Sequence, residues 1–367
     1  MSWFLPNVGE GRYHQLDTLR FFFALAVVFH HISVFSWMSS LGLAVDFFFI
    51  LSGFVLTPFI LKTKIGYGDF VWRRIARMYP LHFVTLIAIL LVYLLTGNGG
   101  IRPYPDGELL TFTAHLFLLQ NMGFNDHLSW NWPSWSISVE FWLNILLLYF
   151  LVSRRMIITS ITITIASFAI LYATKGGLSW LHTQQIWDFV PSGLIRCAGG
   201  LALGYLCYEI FLGFEENRTR NPSRKITVFI LSSIAEISLI ALAFWAVAYF
   251  QRAEQFIAIP VLMVLVIVFS FGNGLLSQLL SIRILAYLGN LSYAVYLIHG
   301  PLIILSRRLG YPMGRDVDYT PERLIIFFGA LFLFSVLSYH LIEMPGKKAV
   351  MSVGRVWLER ARKTHNY

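Results

Sequence analysis

The sequence predicts an all-α membrane protein, a bundle of about ten transmembrane helices with both termini cytoplasmic, and three observations predict it. First, 57% of the 367 residues are hydrophobic and only 13% are charged, against roughly 25% charged in an ordinary soluble domain. Second, the apolar residues fall in repeated runs of about 20, the length a helix needs to cross the ~30 Å hydrocarbon layer. Third, the basic residues lie between those runs: with the N-terminus inside, 20 of the 28 Lys and Arg fall on the cytoplasmic side and eight outside, the bias that orients membrane proteins. Orientation therefore explains the formal charge of +9, and with no single basic stripe, nucleic acid is not an expected partner. Membrane lipids are. The same composition excludes disorder, a coiled coil and a disulfide scaffold.

Ten runs meet the criterion: 20–38, 41–61, 79–96, 136–153, 156–173, 191–212, 226–248, 256–271, 285–305 and 323–342. The stretch 109–122 is apolar but short and broken by His115, so it reads as an interfacial or re-entrant segment. Residues 1–367 read as one integral-membrane domain, with a polar N-terminal segment 1–19, spans over 20–342 and a basic cytoplasmic tail 343–367. No small-residue cleavage site follows the first run, so the first span is expected to stay in the mature protein. Inner loops carry Lys62, Lys64, Arg73, Arg74 and Arg77, then Arg154 and Arg155, then Arg218, Arg220, Arg224 and Lys225. One outer loop dissents, with Arg307, Arg308, Arg315 and Arg323. Cys197 and Cys207 are ten residues apart in one run, about 15 Å along a helix, too far to pair.

Ionisable side chains in lipid cost free energy, so each one is a functional-site hypothesis. In the first span His31 follows Arg20 by eleven residues, which places both on one helical face about 16 Å apart. The second span opens with Asp46 and continues to Ser52-Gly53. The short connection makes the two spans antiparallel neighbours, with Asp46 near the level of His31; the plain alternative is an end cap. Ser52-Gly53 reads as a place of close helix approach. Trp130, Trp132 and Trp135 lead into the fourth span and form an interfacial belt or a platform for a sugar ring. Nothing in a belt requires Glu140, whereas a histidine that gains a proton benefits from a nearby acid. In the ninth span Ser292, Tyr296 and His299 share one face. Before the third span, Arg74 and Arg77 at i, i+3 either anchor the helix or clamp an anionic ligand.

Taken together, the marks resemble the acyltransferase-3 family of integral-membrane acyltransferases. They are Arg20-x10-His31, Val45-Asp46-Phe47-Phe48 to Ser52-Gly53-Phe54, Arg74-x-x-Arg77, Trp135-Ser136 to Glu140, Ser292-Tyr293 to Tyr296-Leu297-Ile298-His299, and Glu343-Met344-Pro345. The resemblance runs nearly end to end; Phe21 stands where the family usually has a glycine after the arginine.

The resemblance implies a multi-pass protein of a bacterial inner membrane. Its donor would be cytoplasmic acyl-CoA, with acetyl-CoA the commonest, and its acceptor a hydroxyl of a glycan or lipid-linked saccharide at the outer face. His31 is then the expected base, Glu140 orients or relays, and Arg20 and Asp46 support. Arg73, Arg74 and Arg77 hold the coenzyme A phosphates; Trp135, Tyr296 and His299 contact substrate. No metal is expected, and the oligomeric state is not implied. The competing class is a transporter or flippase that uses the same His, Asp and Glu as a proton relay, though no inverted repeat or pair of broken helices supports it.

Overall fold

A backbone in lipid finds no water to bond, so each N–H must find its carbonyl within its own segment, and apolar runs become helices. The computed structural model describes residues 13–364 except 36, 39, 97–107, 125–128, 179–183, 221–224, 315, 316 and 318. Arg224 and Arg315, used in the orientation argument, therefore lie outside the described residues. The chain runs α1 (His14–Ile32), α2 (Ala44–Thr63), α3 (Tyr67–Thr96), α4 (Glu108–Leu116), α5 (Trp135–Leu143), α6 (Tyr149–Ser153), α7 (Ile157–Lys175), α8 (Ser192–Arg220), α9 (Lys225–Tyr249), α10 (Gln255–Phe271), α11 (Leu275–Leu280), α12 (Arg283–Arg308), α13 (Pro321–Ser338) and α14 (Met344–Thr364). π-helical turns join α5 to α6 at Asn144–Leu148 and α13 to α14 at Tyr339–Glu343. Among the described residues the only sheet is a two-stranded antiparallel pair, Gln185–Ile186 with Val190–Pro191.

Among the described residues, nine helices are long and apolar enough to cross a membrane, and the chain is a multi-pass α-helical membrane protein. The expected tenth, α1, falls short of that criterion. It begins at His14 rather than residue 20 and ends at Ile32 rather than 38, so it adds Gln15 and Asp17 to the Arg20, His30 and His31 already expected in it. It is nonetheless interior, with Ala24, Val28 and Ile32 fully buried. The third helix starts at Tyr67 rather than 79, which puts Arg73, Arg74 and Arg77 on its first turns. The basic segment after residue 343 is helical, α14, and lies along α3: a Cβ on Gly346 would stand 2.5 Å from Pro80 Cβ, and one on Gly354 would stand 2.7 Å from Trp72 Cγ.

Small residues and polar side chains lock the bundle. A Cβ on Gly53 would stand 2.2 Å from the Leu201 carbonyl oxygen, and one on Gly204 would stand 2.0 Å from that of Ile50, so α2 and α8 touch backbone to backbone as the Ser52-Gly53 step predicts. Gln15 Nε2 donates to the Phe269 carbonyl at 2.6 Å, and Thr18 Oγ1 to that of Leu280 at 2.7 Å, which satisfies the open C-terminal ends of α10 and α11. Glu236, buried on α9, accepts from the Gly274 and Ser277 amides, both at 3.0 Å, and from Ser277 Oγ at 2.6 Å. Pro301 lacks the N–H that would bond Leu297, and Asn131 Nδ2 donates to that orphaned carbonyl at 3.0 Å. The stretch 109–122 does not cross. Its nine-residue α4 is pinned to α3, where His82 Nε2 donates to the His115 carbonyl and Tyr79 OH to that of Leu116, each at 2.7 Å.

Candidate functional site

α1, α2, α3, α5, α12 and α14 enclose a cavity of about 350 Å³. Arg20 enters it from α1, Arg73, Arg74 and Arg77 from α3, and Lys347 from α14, and these five basic groups face one lining carboxylate, Glu140 of α5. A groove of about 840 Å³ adjoins it, sharing Arg20, Arg77 and Lys347 and adding Asp17, Lys62 and Glu343. The start of α1 and the end of the α13 hairpin thus lie at one end of the bundle.

The four arginines are not equivalent. Arg77 is ion-paired with Glu343, and its guanidinium lies 5.1 Å from the Tyr293 ring centroid. Tyr293 OH in turn donates to the Met78 carbonyl. Arg20 holds Asp17 at 3.2 Å, and Arg73 sits exposed, 5.3 Å from the Phe59 ring. Arg74 differs: its buried Nε has no hydrogen-bond partner, and it stands in the field of Glu140, Arg77 and Arg20. The carboxylate of Glu140 acts also on Arg20 and Tyr293. A half-buried guanidinium whose inner Nε is unsatisfied, among other cations, is what an anionic ligand would complete.

The deep end of the cavity is closed by Tyr296. Its hydroxyl donates to the Pro133 carbonyl at 2.8 Å and shares a 2.7 Å hydrogen bond with Ser136 Oγ, while Phe48 lies edge-on at 5.9 Å. One helical turn beyond stands His299, fully buried, with its Nε2 2.9 Å from Nδ1 of His31. Trp132 presents its edge to His31 at 6.3 Å, and the rings of His30 and His31 lie 5.4 Å apart. Arg20 and His31 therefore mark two levels on α1: the arginine in the cavity, the histidine past the Tyr296 layer.

Asp46 meets a partner the sequence argument did not supply. Both its oxygens are held by Arg196 of α8, Oδ1 at 2.8 Å from Nε and Oδ2 at 2.6 Å from Nη2. The other guanidinium bonds go to the carbonyls of Leu178 and Gly42, at 3.1 and 3.2 Å. Arg196 is a cation inside the apolar run 191–212, and its counter-ion lies 150 residues away in the chain. Trp135, expected to contact substrate, lies in the packed interior. It is 4% exposed, edge-on to Phe49 and 6.0 Å under Arg196, with Gly193 against its ring. Its ring packs against α2 and α8, and Trp132 is the tryptophan beside His31. Cys197 and Cys207 are buried free thiols.

Comparison with known proteins agrees with the architecture. Residues 13–339 match the acyltransferase domain family, acyltransferase-3. The chain is 26% identical over 359 residues to the Bacillus subtilis protein named "Putative peptidoglycan O-acetyltransferase YrhL", covering 90% of this chain and 54% of that one. To peptidoglycan O-acetyltransferase OatA of Listeria monocytogenes it is 23% identical over 361 residues, covering 91% of this chain and 56% of the other. The chain thus spans a little more than half the length of these relatives. No solved structure matches it.

Proposed function

The chain belongs to the acyltransferase-3 family, and from that premise we propose that it moves an acetyl group from cytoplasmic acetyl-CoA to a hydroxyl of a glycan or lipid-linked saccharide at the outer face of a bacterial inner membrane. The observation that carries the reading is the sequence of groups through the bundle: a basic cavity at one end, then the Tyr296 layer, then the His31–His299 pair. A donor with phosphates at one end and a thioester at the other suits that order. Since the relatives are named for peptidoglycan, an amino-sugar glycan is the first acceptor to try.

In this mechanism Arg74 and Arg77 bind the phosphates of coenzyme A, and Arg73 meets them at the mouth. Arg20 adds positive potential at the level where Glu140 lies, and Glu140 keeps the arginine cluster from self-repulsion while the site is empty. The thioester reaches Tyr296, whose hydrogen bonds to Ser136 and Pro133 must part to admit it. His31 then takes the proton of the acceptor hydroxyl as oxygen attacks the acyl carbon and returns it to the departing thiolate. The Asp46–Arg196 pair holds α2 and α8 around this end of the bundle.

The test is release of coenzyme A from radiolabelled acetyl-CoA in membranes carrying wild type or His31→Ala, with labelled glycan followed in parallel. Label that enters glycan in wild type and disappears in the variant is expected. Full acylation by His31→Ala would remove the assigned base, and no turnover with a full set of acceptors would favour a transporter.

A further inference from the structure

The His31 and His299 rings are nearly parallel, at 15°, with centroids 5.0 Å apart and Nδ1 of the first 2.9 Å from Nε2 of the second. Two imidazole nitrogens at that distance share one proton, with one ring donating and the other accepting. The surroundings of His299 favour one direction. The carbonyl oxygens of Val295 and Tyr296, one turn back on α12, act on its ring without closing a hydrogen bond. A carbonyl only accepts, so these oxygens favour a proton on Nδ1 of His299 and leave its Nε2 as the acceptor. In that arrangement His31 carries its proton on Nδ1.

We propose that His299 is a positioning residue for His31: it accepts the Nδ1 proton of His31 and so fixes the tautomer in which Nε2 of His31 takes the proton of the acceptor hydroxyl. The nitrogen of a histidine that does chemistry is set by the hydrogen bond the other nitrogen makes. This inference rests on the acyl-transfer reading above, and it departs from the expectation that His299 contacts substrate. In the step, the bond from acceptor oxygen to acyl carbon forms while the carbon–sulfur bond of the thioester breaks. The hydroxyl proton moves to Nε2 of His31 and from there to the leaving thiolate. His299 gains and loses nothing over the cycle; its bond to Nδ1 keeps the ring aimed while His31 is an imidazolium. The packing supports a fixed aim, because Tyr296 lies edge-on to His299 at 5.8 Å and Trp132 edge-on to His31 at 6.3 Å.

Two variants and one spectrum test this. His299→Phe keeps a ring and removes the acceptor, whereas His299→Gln returns an acceptor oxygen near the former Nε2. The first should lower kcat about a hundredfold or more, the scale of positioned acid–base catalysis, with KM for acetyl-CoA and for acceptor within about threefold. The second should recover at least about tenfold of that loss. A raised acceptor KM at unchanged kcat would return His299 to substrate binding, and equal losses in both variants would make it a packing residue; either result overturns the proposal. The tautomer itself is read from the ¹⁵N resonances of histidine-labelled protein in lipid bilayers, with His31 assigned by the signal lost in His31→Gln. A proton on Nδ1 of His31 in wild type, moved to Nε2 in His299→Phe, is the expected result. A proton on Nε2 in wild type overturns the inference whether or not acetyl-CoA is turned over, so its failure is distinct from failure of the acyl-transfer reading.

Discussion

Asp46 and Arg196 meet fork to fork in the half of the bundle that holds His31, with oxygen–nitrogen distances of 2.8 and 2.6 Å and neither side chain more than 2% exposed. Removing one partner leaves the other buried and uncompensated, which costs about 3–5 kcal/mol. Asp46→Asn and Arg196→Met should each lower the melting temperature of the detergent-purified protein sharply. The double variant Asp46→Leu, Arg196→Met should be closer to wild type than either single one. A single variant as stable as wild type would mean the pair carries no structural load.

Arg74 predicts a selective effect on the donor. Its Nε is the buried cavity guanidinium nitrogen left without a partner, whereas Arg77 is held by Glu343 and Arg20 by Asp17. A charge-assisted hydrogen bond contributes about 1.5–3 kcal/mol, so Arg74→Ala should raise KM for acetyl-CoA roughly ten- to a hundredfold with a smaller change in kcat. Initial rates against donor concentration check it. An unchanged KM would make the residue an ordinary anchor at the membrane surface.

The contact of α2 with α8 predicts a contrast between two glycines of the same helix. A Cβ at Gly204 meets backbone at 2.0 Å, while one at Gly213 meets nothing within 4 Å. Gly204→Ala should therefore lose about 1–3 kcal/mol by forcing the helices apart, and Gly213→Ala should be neutral or slightly stabilising. Thermal unfolding of the two variants side by side decides it, and equal stability would deny the close approach.

Pro301 and Asn131 predict a coupled pair. Asn131→Leu strands the Leu297 carbonyl and should cost about 1–3 kcal/mol. With Pro301→Ala present, residue 301 has an N–H to give to Leu297, and the same substitution should cost less. A double-mutant cycle on melting temperature measures the difference; strict additivity would mean the asparagine serves another purpose.

How much of this was legible in sequence follows from what hydropathy counts. Continuous apolar helices such as α9 and α10 are readable because their length and hydropathy mark them, even though the partners of Glu236 and Gln255 inside them are not. Boundaries failed where charged residues are interior: α1 is shifted back to take in Asp17, and Arg73, Arg74 and Arg77 lengthen α3, because their charges line a cavity and its adjoining groove rather than face lipid. The shared face of Arg20 and His31 follows from helical periodicity alone. The partners of Asp46, Arg77 and His31 do not. They lie 150, 266 and 268 residues away in the chain, and only the packing of helices brings them within reach. The packing of Trp135 was illegible for a related reason, since an aromatic beside a helix start looks the same in sequence whatever its ring meets.

The π turn at Tyr339–Glu343 constrains the number of residues in the last hairpin as well as their kind. A π turn carries one residue more than an α turn, so the helix beyond it is set out of phase by about 100°. Glu343 closes that turn and meets Arg77 from it. Deleting one residue between 339 and 343 would swing the carboxylate about 100° away from the guanidinium, although every side chain remaining was unchanged. Losing seven from the end of α13 and the turn together, close to two whole turns, would restore the bearing but shorten the rod by about 10 Å. Insertions and deletions in this segment should therefore be rarer than substitutions, because the register of one ion pair is counted out along the backbone.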